Sequence, residues 1–301
     1  KRIHLGQGNS VTEEVAPLMG HQRQRREARR EDLNPYDGLT ELTTPFAEGI
    51  AVTRLERYIA CPARDWYSKT LKLEDSGQRE EDATPLTVGS LLHRVLEVFV
   101  ERHGEAYLTD GHNYPLMAKR LFNVACEVLE DETIQPSLSR DGLEDLKEKW
   151  LPGLLDTQPK GVLASWLEQE LTKLPERRPL EVEASVEGLT ISGIPIRGRV
   201  DRVDAFGDDG SLIIDYKSGS TPDISDLKSG LAIQGLLYGE WARQKWSNRP
   251  KVASVYARVG KADDIRERSW MGEESLLTAT RKTSKFVLDE ESRERHLNHI
   301  E

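Results

Sequence analysis

The residues richest in chemistry lie in one short run, Ile213-Ile214-Asp215-Tyr216-Lys217. Read as a β-strand, it alternates: Ile213, Asp215 and Lys217 share one face, and Leu212, Ile214 and Tyr216 share the other. A carboxylate and an ammonium at i and i+2 stand roughly 7 Å apart along a strand. That leaves room for a divalent cation on the carboxylate and for a water molecule that the lysine can reach. A lone Asp-x-Lys is more often a partly buried structural ion pair, but here a second acid lies close upstream. GRVDRVD at 198–204 is joined to the first run by the tight AFGDDG connection, and antiparallel pairing about that turn brings Asp201 beside Asp215. Gly198 omits a side chain next to that carboxylate, which would admit a backbone or a substrate. Glu183 lies on an earlier strand whose Val182 and Ala184 can face the core, leaving it as a third acid or as a solvated strand residue. Carboxylates converging in this way repel one another, and a hard, oxygen-loving cation such as Mg²⁺ or Mn²⁺ makes the arrangement sensible.

Such a site needs a sheet to carry it. SLIIDY is apolar on both parities, the mark of a central strand buried on two faces. The stretch from Pro179 to Gly219 contains further β-rich segments separated by Glu-Gly, Ser-Gly and GDDG turns, and VASVYARV at 252–259 is another strand. Helical periodicity fills the first half of the chain. VTRLERYIACPARDWYSKTL begins near Thr53, a reasonable N-cap, and restarts at Pro62; TVGSLLHRVLEVFVERHG is amphipathic and ends at Gly104. Residues 114–175 stay helical, broken by Pro152 and Pro159, with Met117, Trp150 and Trp166 on core-facing stripes. Residues 221–246 read as one helix, with Leu227, Leu231, Leu237 and Trp241 on one side and Asp223 or Ser225 near its cap. The tail 260–301 is charged, helical in parts and otherwise uninformative. The expected fold is α/β, a mixed central sheet flanked by helices with a helical insertion. Residues 1–48 form an extended lead-in, and 49–301 form one domain: helices over about 52–175, sheet core over about 179–259, then the tail.

Composition sets outer limits. The 301 residues are 37% apolar and 31% charged, enough for a core under a heavily solvated surface. Mean hydropathy is −0.59, and no run approaches the ~18 apolar residues of a spanning helix. KRIHLGQGNS lacks the apolar core of a signal peptide, and its missing Met suggests a fragment or processed product with sequence upstream. Two cysteines, Cys61 and Cys126, exclude a disulfide framework and any four-cysteine metal site, so a reducing, cytoplasmic location is the simplest reading. A net charge of −10 argues against a duplex-coating protein, but not against an enzyme that meets nucleic acid in one groove. The basic run HQRQRREARRED at 21–32 reads as a solvated face, a linker or a nucleic-acid arm. Arg243, Lys245, Arg249 and Lys251 are either backbone contacts for DNA or a solvated helix end. There is no P-loop.

In order and spacing, residues 51–259 resemble the PD-(D/E)xK nuclease superfamily, and within it the RecB/AddB-type exonuclease domains. The opening segment resembles the family's stretch around a Cys-Pro pair, here Cys61-Pro62. Gly89 and His93 match its Gly-x-x-x-His helix, which implies His93 as a metal ligand. Glu183 matches an auxiliary acid, with Glu181 as the alternative register; Asp201, Asp215 and Lys217 match the core motif; Gln234 and Tyr238 match a Gln-x-x-x-Tyr helix. The resemblance implies a restriction-endonuclease-like core and a Mg²⁺- or Mn²⁺-dependent deoxyribonuclease. Asp201, Asp215, His93 and the backbone carbonyl of Tyr216 would hold the metal. Lys217 would orient water, Glu183 would help with a second metal or water, and Gln234 and Tyr238 would position the lysine or the strand. It implies DNA as partner, together with a helicase-like region of the same polypeptide or of a partner helicase, and no membrane. The alternative is a catalytically silent nuclease fold that binds DNA ends or braces a partner protein. Cluster-bearing relatives use one early and three late cysteines. Cys61 matches the early one, but no cysteine follows Cys126, so no iron–sulfur cluster is expected and Cys61 should pack as a small hydrophobe.

Overall fold

The computed structural model describes residues 49–70, 85–110, 113–131, 139–173, 177–278 and 285–300. The lead-in 1–48, with its basic run, and nearly all of the charged stretch 74–85 lie outside the described residues. In chain order, the first elements are β1 (Ile50–Ala51), α1 (Val52–Ala60), α2 (Pro85–His103), α3 (Tyr114–Glu130), α4 (Arg140–Trp150) and α5 (Val162–Leu171). Next come β2 (Arg177–Ser185), β3 (Thr190–Ile191), β4 (Ile194–Arg197), β5 (Arg199–Phe206) and β6 (Gly210–Lys217). The chain then adds α6 (Ile224–Lys228), α7 (Gln234–Lys245), β7 (Lys251–Arg258), β8 (Arg266–Gly272), β9 (Lys285–Val287) and α8 (Glu290–Ile300).

Six strands form a mixed sheet in the order β2-β5-β6-β7-β8-β9. The β5–β6 hairpin is antiparallel, whereas β6 and β7 are parallel and therefore need the crossover that α6 and α7 supply. Ser211 to Tyr216 are all buried, as expected for a strand apolar on both parities. Leu212, Ile214 and Tyr216 pack into a large core with Leu92, Leu96 and Phe99 of α2 and residues of α3, α4 and α5. Met117, Trp150 and Trp166 lie in that core, as their spacing implied. At about 1.5–3 kcal/mol for each large apolar side chain buried, this layer holds the helical half against the sheet. A smaller cluster of Leu227, Leu236, Tyr256, Met271 and Phe286 seals the sheet beneath α6, α7 and α8. Among the described residues, no helix is long and apolar enough to cross a membrane.

The structure departs from the sequence reading in three places. The helix expected over 221–246 is two helices, because Gly230 turns left-handed (φ +72°) and stops the first. Asp223 caps that first helix by accepting from the amides of Ser225 and Asp226, and Leu231 falls in the break, 44% exposed. The tail is not helical alone, since its β8 and β9 extend the sheet to Val287. Thr53 is not a cap, since α1 begins at Val52 after an extended Ala51.

A buried ionic network crosses under the sheet. Arg202 forks onto Asp204 (2.6 and 2.7 Å), reaches Glu170 of α5 (2.6 Å) and donates to the Tyr216 hydroxyl (3.2 Å). Arg177, lying against the Phe206 and Trp270 rings, pairs with Glu267, which also meets Lys173 at 2.8 Å. Burial alone would push the Glu267 carboxyl up, but Lys173 and Arg177 overcome it and hold the group well below the usual carboxylate range. A carboxyl held low in the folded protein adds stability above its unfolded value of about 4.3. That stability is lost as pH falls toward the depressed folded value. Glu267→Gln strands the Arg177 charge and should cost about 3–5 kcal/mol at pH 7. In urea denaturation, the gap from wild type should then narrow as pH drops below about 4; a gap independent of pH would contradict this account.

Candidate active site

The β5–β6 register pairs Arg202 with Ile214 and Val203 with Ile213, so the next step outward sets Asp201 opposite Asp215. The Tyr216 amide donates to Asp201 Oδ2 at 2.7 Å and fixes that carboxylate across the hairpin. On the other side of β5, the β2 register brackets Glu183 opposite Asp201. Glu183 adopts a left-handed backbone (φ 48°), a conformation that costs a non-glycine residue roughly 1–2 kcal/mol. Its carboxylate meets Arg199 at 3.3 Å, and its charge is felt at Asp201. Glu181, the other register, instead pairs with Lys245 at 2.5 Å.

His93 of α2 brings Nδ1 to 3.6 Å from Asp201 Oδ2. One turn earlier Gly89 lets Ser218 approach: a Cβ there would lie 2.7 Å from the Ser218 hydroxyl. Lys217 Nζ lies 2.6 Å from Asp215 Oδ2 and donates to Gln234 Oε1 at 3.3 Å. Gln234 Nε2 in turn donates to the Tyr238 hydroxyl at 3.4 Å. The space left by Gly198 is taken by the chain itself rather than left for a substrate, since a Cβ there would lie 2.7 Å from the Tyr238 ring and hydroxyl. The structure therefore brings together Asp201, Asp215, Lys217, His93, Gln234 and Tyr238, with Glu183 beside them. A cleft of about 910 Å³ begins one residue beyond Lys217, lined by Ser218, Gly219 and Gly260 and by α2 and α4.

Electrostatics follow from this crowding. Burial raises Asp201 well above the usual carboxylate range and the Asp215 charge raises it further, against the Tyr216 amide and Lys217. Burial also raises Asp215, against Lys217. Burial lowers the Lys217 ammonium, but Asp215 more than restores it and leaves the group raised. Burial and the Lys217 charge lower His93 to about 4, so its imidazole is neutral at pH 7. Tyr238 is pushed up to about 12 by burial and stays a neutral phenol.

These residues fit a hard divalent cation. Asp215 Oδ2 is buried, and its contact with Lys217 is not a well-aligned hydrogen bond, which leaves lone pairs uncommitted. Two mutually repelling carboxylates and one neutral imidazole form an oxygen-rich donor set suited to Mg²⁺ or Mn²⁺. The Tyr216 backbone lies near enough to His93 to oppose the lowering of its pKa, which places that peptide beside the same cluster. Among the described residues, no three His, Cys, Asp or Glu side chains already converge as a closed cage, so binding would have to draw these groups together.

Other expectations changed. Cys61 is exposed between α1 and the following turn, not packed as a small hydrophobe. The basic residues at and after the end of α7 make partly exposed surface pairs, Arg243 with Glu273, Lys245 with Glu181 and Lys251 of β7 with Asp209, and Arg249 donates to the carbonyls of Gly207 and Gly210. The residue that sequence reasoning missed is Glu56 of α1, whose carboxylate accepts from the first amides of α7. One clue was available: Ile233, just before Gln234, has no side chain able to cap a helix.

The fold is that of a restriction-endonuclease-like protein. Residues 50–301 match the PD-(D/E)XK nuclease superfamily, and the chain belongs to it. It is similar to proteins named as subunits of an ATP-dependent helicase/deoxyribonuclease. Identity is 28% with that of Lachnoclostridium phytofermentans, over 61% of this chain and 16% of the relative. With those of Symbiobacterium thermophilum and Heliobacterium modesticaldum it is 31% and 30%, over 62% of this chain and 17% and 16% of the relatives. The chain thus spans about a sixth of the length of the curated relatives it matches.

The Gly198–Tyr238 contact is testable on its own. Gly198→Ala should cost about 1–3 kcal/mol in chemical denaturation, as overpacking does. The same substitution in a Tyr238→Ala background should cost almost nothing, and an equal loss in both backgrounds would sink the assignment.

Proposed function

We propose that this chain is a Mg²⁺- or Mn²⁺-dependent deoxyribonuclease domain that acts as an exonuclease in DNA repair or recombination. The observation that carries the reading is the facing pair Asp201 and Asp215, with the Lys217 ammonium 2.6 Å from Asp215 and a neutral His93 beside Asp201. A cleft whose lining starts at Ser218, next to Lys217 in the chain, flanks the site. The relatives' names and the small share of their length that the chain spans support a helicase-like region, in the same polypeptide or in a partner protein. DNA in the cytoplasm is the partner that follows.

The cation, when bound, supplies Lewis-acid charge at the scissile phosphate and acidifies water there. Asp201 and Asp215 provide its anionic ligands, and His93 offers a lone pair because it is uncharged. Lys217 orients the attacking water and stabilises negative charge on the pentacovalent phosphate. The water oxygen forms the new bond to phosphorus and gives up its proton to solvent, the ester P–O bond breaks, and the departing alkoxide takes a proton from solvent. Gln234 fixes the lysine, Tyr238 braces Gln234, and Glu183 stands ready for a second cation or a water.

Calorimetric titration with Mn²⁺ should give saturable heat that Asp215→Asn abolishes. End-labelled linear single-stranded DNA should be degraded with Mn²⁺ or Mg²⁺ and not with EDTA, while circular DNA survives. Lys217→Ala should cut the rate at least about 100-fold. Cleaved circles would make the enzyme an endonuclease. Neither heat nor cleavage would leave a silent fold that binds DNA ends.

A further inference from the structure

We infer that Glu56 is a positioning residue for the proposed hydrolysis: from α1 it fixes the first turn of α7 so that Gln234 holds Lys217 at Asp215. The inference rests on the nuclease reading. The amides of a helix's first turn have no partner within the helix and must find one elsewhere. Ile233 has no capping side chain, and α7 carries no acid in its first turn. Glu56 Oε1 fills that role from far away in the sequence, accepting from the amides of Ile233 and Gln234 at 2.9 Å each. A carboxylate is the favoured group there, because helix N-termini carry partial positive charge.

The held residue is the one that touches the lysine. Gln234 is 7% exposed, its Oε1 accepts from Lys217 Nζ at 3.3 Å, and its amide nitrogen donates to Tyr238, which is wedged against Gly198. A continuous chain of contacts therefore runs from Glu56 through Gln234 to Lys217 and Asp215. The Glu56 carboxylate is also close enough to Lys217 and Asp215 to feel both charges. Holding α1 in place does not depend on this one group. Ile50 and Ala51 pair with β4, and Val52 is buried. Loss of Glu56 therefore releases the first turn of α7 rather than the whole opening segment.

The test uses the chain with linear single-stranded DNA and Mn²⁺, comparing Glu56→Ala, Glu56→Gln, Gln234→Ala and the Ala/Ala double variant. Glu56→Ala should lower kcat about 10- to 100-fold, the scale of small misplacements in an active site. The KM for DNA and the calorimetric affinity for Mn²⁺ should stay within about twofold of wild type, because neither depends on the lysine's orientation. Glu56→Gln keeps an oxygen for the two amides and should recover most of the rate. The double variant should be little worse than either single one, as for residues acting through one contact chain. Should Glu56→Ala fail to fold by circular dichroism, Glu56→Asp, one methylene shorter, should lower kcat at an unchanged melting temperature. A wild-type kcat in the folded alanine or aspartate variant, losses that multiply in the double variant, or Mn²⁺ affinity falling in step with kcat would each overturn the inference. Wild-type chain that cleaves no DNA with Mn²⁺ would instead overturn the nuclease reading beneath it.

Discussion

The structure turns on two carboxylates that face each other across the β5–β6 hairpin. Asp215 is buried and Asp201 largely so, both are pushed toward the neutral form by burial, and the Asp215 charge raises Asp201 further. Such a pair is costly unless cations and hydrogen-bond donors are arranged about it. The surrounding elements supply them: an amide from Tyr216, an ammonium from Lys217, and an imidazole from α2 that burial keeps uncharged. The sheet is the scaffold that makes this tolerable, because β6 is held on both sides and cannot relax the pair apart.

Strand alternation lets the same two strands serve a second purpose. GRVDRVD presents Asp201 to the site, whereas Arg202 and Asp204 turn to the opposite face, into the network that joins α5 to the sheet. Tyr216 connects the two faces, its amide on Asp201 and its hydroxyl accepting from Arg202. A change in the buried network can therefore reach the carboxylates through Tyr216, as well as along β5. The opening segment has a comparable double role: backbone pairing of β1 with β4 anchors it to the fold, and Glu56 attaches it to the helix that carries Gln234.

Much of this is legible in the amino-acid sequence. The two-sided apolar character of SLIIDY, the turn at GDDG and the two-residue spacing of Asp215 and Lys217 together imply a buried central hairpin with its acids opposed. Local rules suffice there, since alternation and a tight turn leave one register. The sequence was silent or misleading where distant parts of the chain decide. Residues 221–246 carry an unbroken apolar stripe, yet the left-handed Gly230 splits them, because the crossover from β6 to β7 has to turn. The tail has too few apolar residues to announce strands, but β8 and β9 complete the sheet by pairing with edges already formed.

The amino-acid sequence by itself determined the core of the site: which residues could hold charge, in what order, and on which face of which strand. Periodicity and turn chemistry act over a few residues, so they can be read along the chain. Only the tertiary structure decided that Tyr238 fills the space at Gly198, that the basic end of α7 pairs with Glu181 and Glu273, and that Glu56 caps α7. Each of those depends on the approach of groups far apart in the chain. Nothing in local sequence encodes which distant carboxylate will reach an uncapped helix end, because that partner is chosen by how the whole sheet packs.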